Sequence, residues 1–275
     1  NYQVQAVPVN PPFSLTSAFE LLMYSYSAYC PLKEVSNWTC AYCNTQYTPA
    51  GGLEIVSTFD HVFSNTFGYI GITDNTNTVV MAFRGTQGPD LRNWITNLNF
   101  PQVSPYPADP SAMVHRGFLA AYNHVQKATH EGLILAQQKC PHCTRFVATG
   151  HSLGGALAIL AVADVYPSII SLPLEMYTYG SPRVGNPAFN EYFESTALQS
   201  IWRVVNYHDI VPHLPTKEMG FHHLPTEVWI KSPSNHTEYV ICNGSGEDPH
   251  CSDHAIVALS IPEHLDYLGI EKQYC

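Results

Sequence analysis

Gly150-His151-Ser152-Leu153-Gly154 stands between a short apolar run, residues 146–149, and a longer one, residues 156–163. The first run suits a buried strand and the second a helix, so these five residues form a sharp turn between them. Glycine at both ends lets strand and helix pass closely, and the serine hydroxyl is presented at the helix N-terminus, where developing negative charge is stabilised. The pattern indicates a nucleophile elbow with Ser152 as the nucleophile, and the alternative is a glycine-rich turn that only joins two elements.

Strand-like and helical segments alternate on both sides of this turn. Before it come a helical pattern at 14–29, β-rich segments at 53–59, 68–73 and 78–84, and a helical pattern at 118–139. After it come a strand at 175–179, a helix at 188–198, a strand at 201–206 and an irregular loop at 211–225. Turn residues between the second and third β-rich segments predict a hairpin. The alternation as a whole predicts parallel βα units in a mixed sheet flanked by helices, an α/β architecture.

Size and composition restrict the class of protein. The 275 residues are 45% hydrophobic and 12% charged, which is enough apolar sequence for one domain over residues 1–275 with a large core. A formal net charge of -10 opposes binding to phosphate backbones, so nucleic acid is not an expected partner. The longest apolar run ends at Asp164 and is far shorter than the roughly 20 residues of a spanning helix. No transmembrane anchor is expected.

Several features indicate export from the cell. The chain begins at Asn1 rather than Met, as expected of a mature chain from which a targeting segment has been removed. Asn37, Asn235 and Asn243 each begin a glycosylation sequon. The eight cysteines are an even number, which in such a chain favours disulfides over free thiols. We therefore expect a secreted, extracellular protein, and we expect a monomer.

Several motifs, in order along the chain, resemble the sequence blocks of the fungal class 3 lipases. Besides the elbow and the Gly155-Ala156-Leu157 that extends it, they are Phe83-Arg84-Gly85-Thr86, Asn93-Trp94-Ile95, Tyr179-Gly180-Ser181-Pro182-Arg183-Val184-Gly185-Asn186, Asp209-Ile210-Val211-Pro212 and His264-Leu265-Asp266-Tyr267. The resemblance runs from about residue 15 to residue 275. It implies an α/β-hydrolase fold and hydrolysis of acylglycerol esters, with no cofactor and no metal.

A serine hydroxyl needs a histidine base and an acid that orients the histidine. In α/β-hydrolases both follow the serine, with the acid first. Asp209 comes just after the strand at 201–206, at the sheet edge where such folds place their sites, and is the predicted acid. Asp164, on the helix after the elbow, is the weaker alternative. The resemblance implies His264 as the base, because His254 lacks the tyrosine and glycine that follow His264.

Acyl transfer also needs hydrogen-bond donors for the oxygen that becomes negative. The backbone amide of Leu153, directly after the nucleophile, is one predicted donor. Thr86, which follows the β-rich segment at 78–84, offers both its amide and its hydroxyl, and the resemblance implies this role as well. A threonine that caps the next helix is compatible with the same position.

The segment at 87–98 is predicted to be a short amphipathic lid. At helical spacing, Leu91, Trp94, Ile95 and Leu98 fall on one face. Beside the oxyanion residue, such a helix would cover the catalytic cleft when closed and contact lipid when open. A permanently buried surface helix is the alternative.

The cysteines fall into predicted pairs. The resemblance implies Cys30 with Cys275 and Cys242 with Cys251, the second bridge resembling one in feruloyl esterases, and proximity pairs Cys40 with Cys43 and Cys140 with Cys143. The last pair also resembles the site of a thiol oxidoreductase, but in those proteins the pair begins a helix, whereas this one follows a helix. Zinc binding by the two local pairs is a further alternative.

The apolar face of the predicted lid favours a triacylglycerol lipase that acts on a lipid droplet or emulsion surface. A mono- or diacylglycerol lipase, a phospholipase A1 and a feruloyl-type esterase are the nearest alternatives on the same scaffold. An inactive binding protein with this fold would show a damaged triad, and all three predicted positions are intact.

Overall fold

The computed structural model describes residues 12–87, 91, 95, 101–197, 200–232, 234–254 and 260–272. Its strands are β1 (Glu54–His61), β2 (Thr66–Thr73), β3 (Thr78–Phe83), β4 (Gln102–Val103), β5 (Val114–His115), β6 (Arg145–His151), β7 (Leu174–Tyr179), β8 (Ser200–Asn206), β9 (Glu227–Ile230), β10 (Tyr239–Ile241), β11 (Asp266–Tyr267) and β12 (Ile270–Glu271). Its helices include α1 (Leu15–Ser27), α2 (Leu32–Ser36), α3 (Arg116–Asn123), α4 (Gln126–Lys139), α5 (Leu153–Val165) and α6 (Pro187–Thr196).

The main sheet has eight strands in the order β1-β2-β3-β6-β7-β8-β9-β10. The pairs from β3 to β9 are parallel, while β1, β2 and β10 are joined to the sheet by antiparallel pairs. The hairpin predicted from the sequence is confirmed as β2 and β3. The mixed, mostly parallel sheet with flanking helices confirms the predicted α/β-hydrolase fold.

Two apolar cores cover the two faces of this sheet. Every residue of β3 is buried, and its side chains alternate between the cores because successive residues of a strand point to opposite faces. Val79 and Met81 pack in the core that contains the apolar residues of α5, and Val80 and Ala82 pack in the core that contains α1. The sheet is therefore buried on both sides, and the ends of its parallel strands are left as the place for a site.

Helix α1 forms where the amphipathic pattern at 14–29 predicts it. The Ser14 side chain accepts a hydrogen bond from the backbone amide of Ser17 at 3.1 Å and so caps the N-terminus of the helix. The buried side of α1 packs against β6 and β7. This places α1 on the face of the sheet opposite to α5.

The single helix predicted at 118–139 is wrong, because the structure has two helices there. Helix α3 begins at an N-cap, His115, whose Nδ1 accepts from the amides of Gly117 and Phe118, and it ends at Asn123. Helix α4 begins at Gln126. Helix α3 packs against α5, whereas α4 packs against β1 and β2, so the break lets one stretch of chain cover two different neighbours.

Strands β9 and β10 and helix α2 were not predicted. The segment at 211–225, predicted to be an irregular loop, contains short 3₁₀ turns at Val211–His213 and Lys217–Met219 and an isolated bridge between His222 and Gly185. Within the described residues, no helix is both long enough and apolar enough to cross a bilayer.

Candidate active site

Ser152 lies in the turn between β6 and α5, at the carboxyl edge of the sheet. Its backbone has a positive φ of 60° with ψ of -133°, a conformation that a non-glycine residue adopts only under constraint from its surroundings. Its amide donates to the Tyr179 carbonyl of the neighbouring strand at 2.8 Å. A Cβ atom at Gly150 would lie 2.2 Å from the Gly154 carbonyl carbon, and one at Gly154 would lie 2.2 Å from the Phe83 carbonyl oxygen. Only glycine fits at these two positions.

The predicted oxyanion residues lie beside this turn. A Cβ atom at Gly85 would be 2.9 Å from the Cβ of Ser152, so the chain leaving β3 passes directly against the serine. Thr86, the next residue, is buried, and Leu153 is the first residue of α5. The structure therefore places Thr86 next to a residue that lies against Ser152, and Leu153 directly after Ser152, while their role as donors stays a prediction.

Asp209 and His264 form a fully buried pair at the same edge of the sheet. His264 Nδ1–H donates to Asp209 Oδ2 at 2.8 Å. The Tyr267 hydroxyl donates to the same oxygen at 2.5 Å, and the amide of Val211 donates to Asp209 Oδ1 at 2.8 Å. Burial and the neighbouring Asp209 carboxylate raise the pKa of Tyr267 well above its usual value, so this hydroxyl keeps its proton and remains a donor. The carboxylate is held by three donors.

The alternatives for the acid and the base lie elsewhere. Asp164 accepts hydrogen bonds from Tyr122 and Gln126 and pairs with His130, near the far end of α5. It is eleven residues beyond Leu153, roughly 16 Å along the helix at the usual rise per residue. His254 is exposed, and its described hydrogen bond is from its backbone amide to Cys251. The geometry favours Asp209 and His264.

Two polar atoms of the site are left available for chemistry. Ser152 Oγ and His264 Nε2 are buried, and neither has a hydrogen-bond partner among the described residues. The Nδ1 atom of His264 keeps its proton in the hydrogen bond to Asp209. The other ring nitrogen, Nε2, therefore has the lone pair that can accept a proton. The arrangement can therefore act as a nucleophile with a base that is oriented by an acid.

His151, the residue before the nucleophile, links the elbow to the loop of the base. Its Nε2 lies 2.7 Å from the His264 carbonyl oxygen, which can only accept, so Nε2 carries the proton. Burial, then the nearby His264 and Lys272, lower the pKa of His151 well below its usual range and keep the ring neutral. Its Nδ1 therefore accepts from the Tyr29 hydroxyl at 2.8 Å.

Tyr29 also forms a hydrogen bond with the chain that follows β3. The Gly85 amide donates to the Tyr29 hydroxyl at 3.1 Å. A continuous set of hydrogen bonds thus joins the end of β3, the elbow and the loop of His264. Sequence reasoning gave no role to Tyr29 or to Tyr267, although Tyr267 is part of the quoted block that begins at His264 and could have been found there.

The predicted lid is only partly described. Leu91 and Ile95 are helical, Leu91 is buried and Ile95 is half-buried. Trp94 and Leu98 lie outside the described residues, as does most of the segment at 87–98. The lid stays a prediction.

Ion pairs centred on Arg183 and Asp253 hold the chain that follows Asp209 in place. The Arg183 guanidinium donates two hydrogen bonds of 2.7 Å to the Glu247 carboxylate and one of 3.1 Å to the Pro215 carbonyl. Asp253 pairs with Arg183 at 3.4 Å and with Lys217 at 2.5 Å. These contacts tie the segment around residue 215 to the later loop at 242–253.

Three disulfides join the predicted pairs Cys40–Cys43, Cys140–Cys143 and Cys242–Cys251. Cys30 is also disulfide-bonded, and its predicted partner Cys275 lies outside the described residues. Among the described residues no cysteine is free, so the thiolates that the zinc and thiol oxidoreductase alternatives require are already oxidised. The three sequon asparagines are exposed: Asn37, Asn235 and Asn243.

Comparison with known proteins places this site in a family. The family model for lipase (class 3) matches residues 80–219, which contain the end of β3, the elbow and Asp209. A lipase of Rhizopus niveus is 37% identical over 254 residues, covering 90% of this chain. This chain belongs to the class 3 lipase family. It spans 62% of the length of that curated Rhizopus relative.

Solved structures of lipases match over almost the whole chain. Lipase II from Rhizopus niveus is 35% identical with a TM-score of 0.85, and the match covers 97% of this chain and 99% of that one. A triacylglycerol lipase whose catalytic centre is a serine protease triad is 36% identical with a TM-score of 0.82, covering 96% of this chain and 98% of that one. The resemblance stated from the motifs is confirmed.

Proposed function

We propose that this class 3 lipase hydrolyses the carboxylic ester bonds of triacylglycerols at a lipid–water interface, through an acyl-enzyme on Ser152. The observation that carries the proposal is the meeting, at one edge of the sheet, of a strained elbow serine with the buried pair of His264 and Asp209. The similarity to a triacylglycerol lipase with a serine protease triad supports the choice of substrate and of chemistry.

In the proposed first step, Ser152 Oγ attacks the ester carbonyl carbon while His264 Nε2 takes the hydroxyl proton. Asp209 stabilises the imidazolium that forms, and Tyr267 and the Val211 amide keep the carboxylate in place. The oxygen of the tetrahedral intermediate receives hydrogen bonds from the Leu153 amide and from Thr86. His264 then gives its proton to the leaving glyceride alkoxide.

In the second step, His264 Nε2 takes a proton from water, and the hydroxide attacks the acyl carbonyl. Collapse of the second intermediate releases the fatty acid and returns the proton to Ser152 Oγ. Every proton moves through Nε2, the one nitrogen of His264 that is not committed to Asp209. The chain's own residues supply each step of this reaction.

We also propose that the protein works outside the cell as a monomer. Disulfides at three described pairs suit an oxidising compartment, and the three exposed sequon asparagines are accessible to glycosylation. The partner of the extracellular enzyme would be a lipid droplet or emulsion surface, and the predicted lid with Trp94 would contact it.

The test is a substrate series with two serine variants. Tributyrin, triolein, phosphatidylcholine and a feruloyl ester are assayed below and above their solubility limits with the wild type, Ser152→Ala and Ser195→Ala. Ser195 is an exposed helix residue that bonds to its own helix, so its variant controls for the loss of a hydroxyl. We expect hydrolysis of triacylglycerols, a rise in rate at the interface and loss of activity in Ser152→Ala alone.

The outcomes separate the components of the proposal. Activity in a folded Ser152→Ala protein would remove the assigned nucleophile. If the wild type prefers phosphatidylcholine or the feruloyl ester, the proposed ester hydrolysis is kept, but triacylglycerol is the wrong substrate. If Trp94→Ser lowers the rates on dissolved and emulsified esters equally, the segment at 87–98 is not an interfacial lid.

A further inference from the structure

Two apolar side chains project into solvent from the turn that joins β1 to β2. Val62 is 80% exposed and Phe63 is 97% exposed, and these are the two most exposed large hydrophobic side chains in the described part of the chain. They lie next to each other in a 3₁₀ turn at Val62–Ser64. An exposed phenylalanine keeps its whole ring in water, which is unfavourable unless something covers it.

The turn at 62–65 lies at the same end of the strands as Ser152, the end where the parallel strands have their carboxyl termini. Strand β2 pairs with β3 through Gly68 and Phe83, and β3 pairs with β6 through Phe83 and Gly150. Thr66 comes two residues before Gly68, and Ser152 comes two residues after Gly150. Because β2 runs opposite to β6, Thr66 and Ser152 therefore lie at about the same level at one end of the strands. Since neighbouring strands are about 4.8 Å apart, the turn extends past the level of the serine at a lateral distance of roughly 10–15 Å.

Polar contacts hold the turn in this shape. The Arg84 guanidinium donates to Asn65 Oδ1 at 2.8 Å, and Asn65 adopts a left-handed backbone with φ of 48°. His61 Nδ1 and Ser64 Oγ lie 2.8 Å apart, and the His61 ring stacks on His124 with a centroid separation of 4.1 Å. The polar side chains of the turn are thus hydrogen-bonded to one another or to neighbouring residues, whereas Val62 and Phe63 are exposed to solvent.

Arg84 also connects the turn to the candidate site. It directly precedes Gly85 and Thr86 in the chain, and its guanidinium lies over the Phe67 ring at 5.3 Å. The apolar projection and the oxyanion segment are thus joined through one side chain. A surface that touched Phe63 would therefore lie at the end of the strands where Gly85 and Ser152 are found.

We propose that the turn at 62–65 is a second interfacial anchor, in which Phe63 and Val62 insert into a neutral lipid surface and hold Ser152 towards it. The inference rests on the proposed lipase function and adds a contact outside the lid. Two side chains bury a few hundred Å² at most, well short of the roughly 800 Å² per partner of a stable protein interface. A lipid surface needs no such complementary area, and the net charge of -10 favours a neutral surface over an anionic one.

The test measures adsorption separately from catalysis. Phe63→Ser, Val62→Ser and the control Ile134→Ser are each made in the wild type and in the Ser152→Ala background. Ile134 is 47% exposed on α4, which covers a face of the sheet, so its variant removes a similar apolar side chain away from the edge. Binding of the inactive proteins to triolein droplets stabilised with phosphatidylcholine is measured by flotation, and turnover of a dissolved short-chain ester is measured with the active ones.

We expect Phe63→Ser to weaken adsorption by about tenfold or more, Val62→Ser to weaken it less and Ile134→Ser to leave it unchanged. Turnover of the dissolved ester should stay at the wild-type rate in all three. Phe63→Trp should show a larger blue shift in fluorescence on mixing with droplets than the wild type with its four native tryptophans, and a smaller change on vesicles of phosphatidylglycerol.

Each contrary result has its own meaning. Wild-type adsorption by Phe63→Ser, an equal loss in Ile134→Ser, or Trp fluorescence at position 63 that droplets do not alter overturns the anchor. A concentration-dependent dimer that Phe63→Ser abolishes assigns the turn to a second copy instead. If the wild type hydrolyses neither the dissolved ester nor the triolein droplets, the proposed function itself is wrong, and that failure is independent of the adsorption measurement.

Discussion

The two halves of the candidate site are positioned in different ways. Ser152 is placed by one continuous piece of chain, in which β6, the turn and α5 follow one another from Arg145 to Val165. Asp209 and His264 are 55 residues apart in sequence and meet only through their own hydrogen bond and those of their neighbours. The elbow is therefore a local structure with a recognisable sequence, whereas the acid–base pair is assembled by the tertiary fold.

The difference shows in what each half needs from distant residues. The elbow depends on close backbone contacts that glycine alone permits at residues 150 and 154. The acid–base pair depends on Tyr267 and on charged groups such as Arg183, which fix the loop after Asp209. Changes at a distance should consequently disturb the acid–base half more than the elbow.

The largest expected effect is on catalysis when the acid loses its charge. Asp209→Asn should lower kcat on a dissolved ester by about 10⁴-fold, because the histidine is no longer held in the productive tautomer. Asp164→Asn is the matched control, since it alters the rival aspartate on α5. Loss of activity in Asp164→Asn, with activity retained in Asp209→Asn, would mean that the wrong carboxylate was assigned.

The next effect is on stability and concerns the chain after Asp209. Arg183→Met should lower the free energy of unfolding by about 3–5 kcal/mol, because Glu247 is left buried without its partner. Lys127→Met, in an exposed pair with Glu131, should change it by less than about 0.5 kcal/mol. Urea unfolding checks both, and equal stabilities would show that the buried pair does not hold this region.

A smaller effect is expected from the hydroxyl that supports the acid. Tyr267→Phe removes one donor to the Asp209 carboxylate, and a hydrogen bond to a charged group is worth about 1.5–3 kcal/mol. We expect kcat on a dissolved ester to fall roughly 10- to 100-fold with little change in KM. Tyr47→Phe, whose ring stacks on Phe19 at a distance from the site, should keep full activity. If kcat were unaltered in Tyr267→Phe, the Val211 amide and His264 would be sufficient to hold the Asp209 carboxylate in place.

The smallest effect is a pH dependence from a buried histidine beside the acid loop. His223 Nε2–H donates to the Pro212 carbonyl at 2.7 Å, and burial, then Arg203 and Arg183, lower the pKa of His223 well below its usual 6.5. The unfolded chain takes up a proton on this ring below about pH 6.5 while the folded chain does not. Stability should therefore fall as the pH drops through this range, by up to about 1.4 kcal/mol per pH unit.

The variant His223→Gln keeps a donor for Pro212 and removes the titration. Its urea midpoint should fall less between pH 7.5 and pH 5.5 than that of the wild type, and the exposed His250→Gln should behave as the wild type does. Parallel pH curves for all three proteins would contradict the assignment of this acid sensitivity to His223.

Sequence patterns predicted most of the sheet, because strands and helices of an α/β fold carry local signals. The elements at 14–29, 68–73 and 175–179 formed close to their predicted bounds. The helix predicted at 118–139 was wrong where α3 and α4 part, because that break serves two different packing partners rather than any local signal. Strands β9 and β10 are short and were not found for a related reason: β9 depends on its pairing with β8, and β10 in turn depends on its pairing with β9.

The sequence by itself determined the elbow and the family and predicted the nucleophile, acid and base, because each is written in neighbouring residues or in the order of motifs along the chain. Only the tertiary structure decided that Tyr29 and Tyr267 bond into the site and that Phe63 stands at the same edge as Ser152. A tyrosine or a phenylalanine gives no local sign of its distant neighbours. Those neighbours are fixed by strand register and by buried hydrogen bonds, which exist only when the whole sheet has formed.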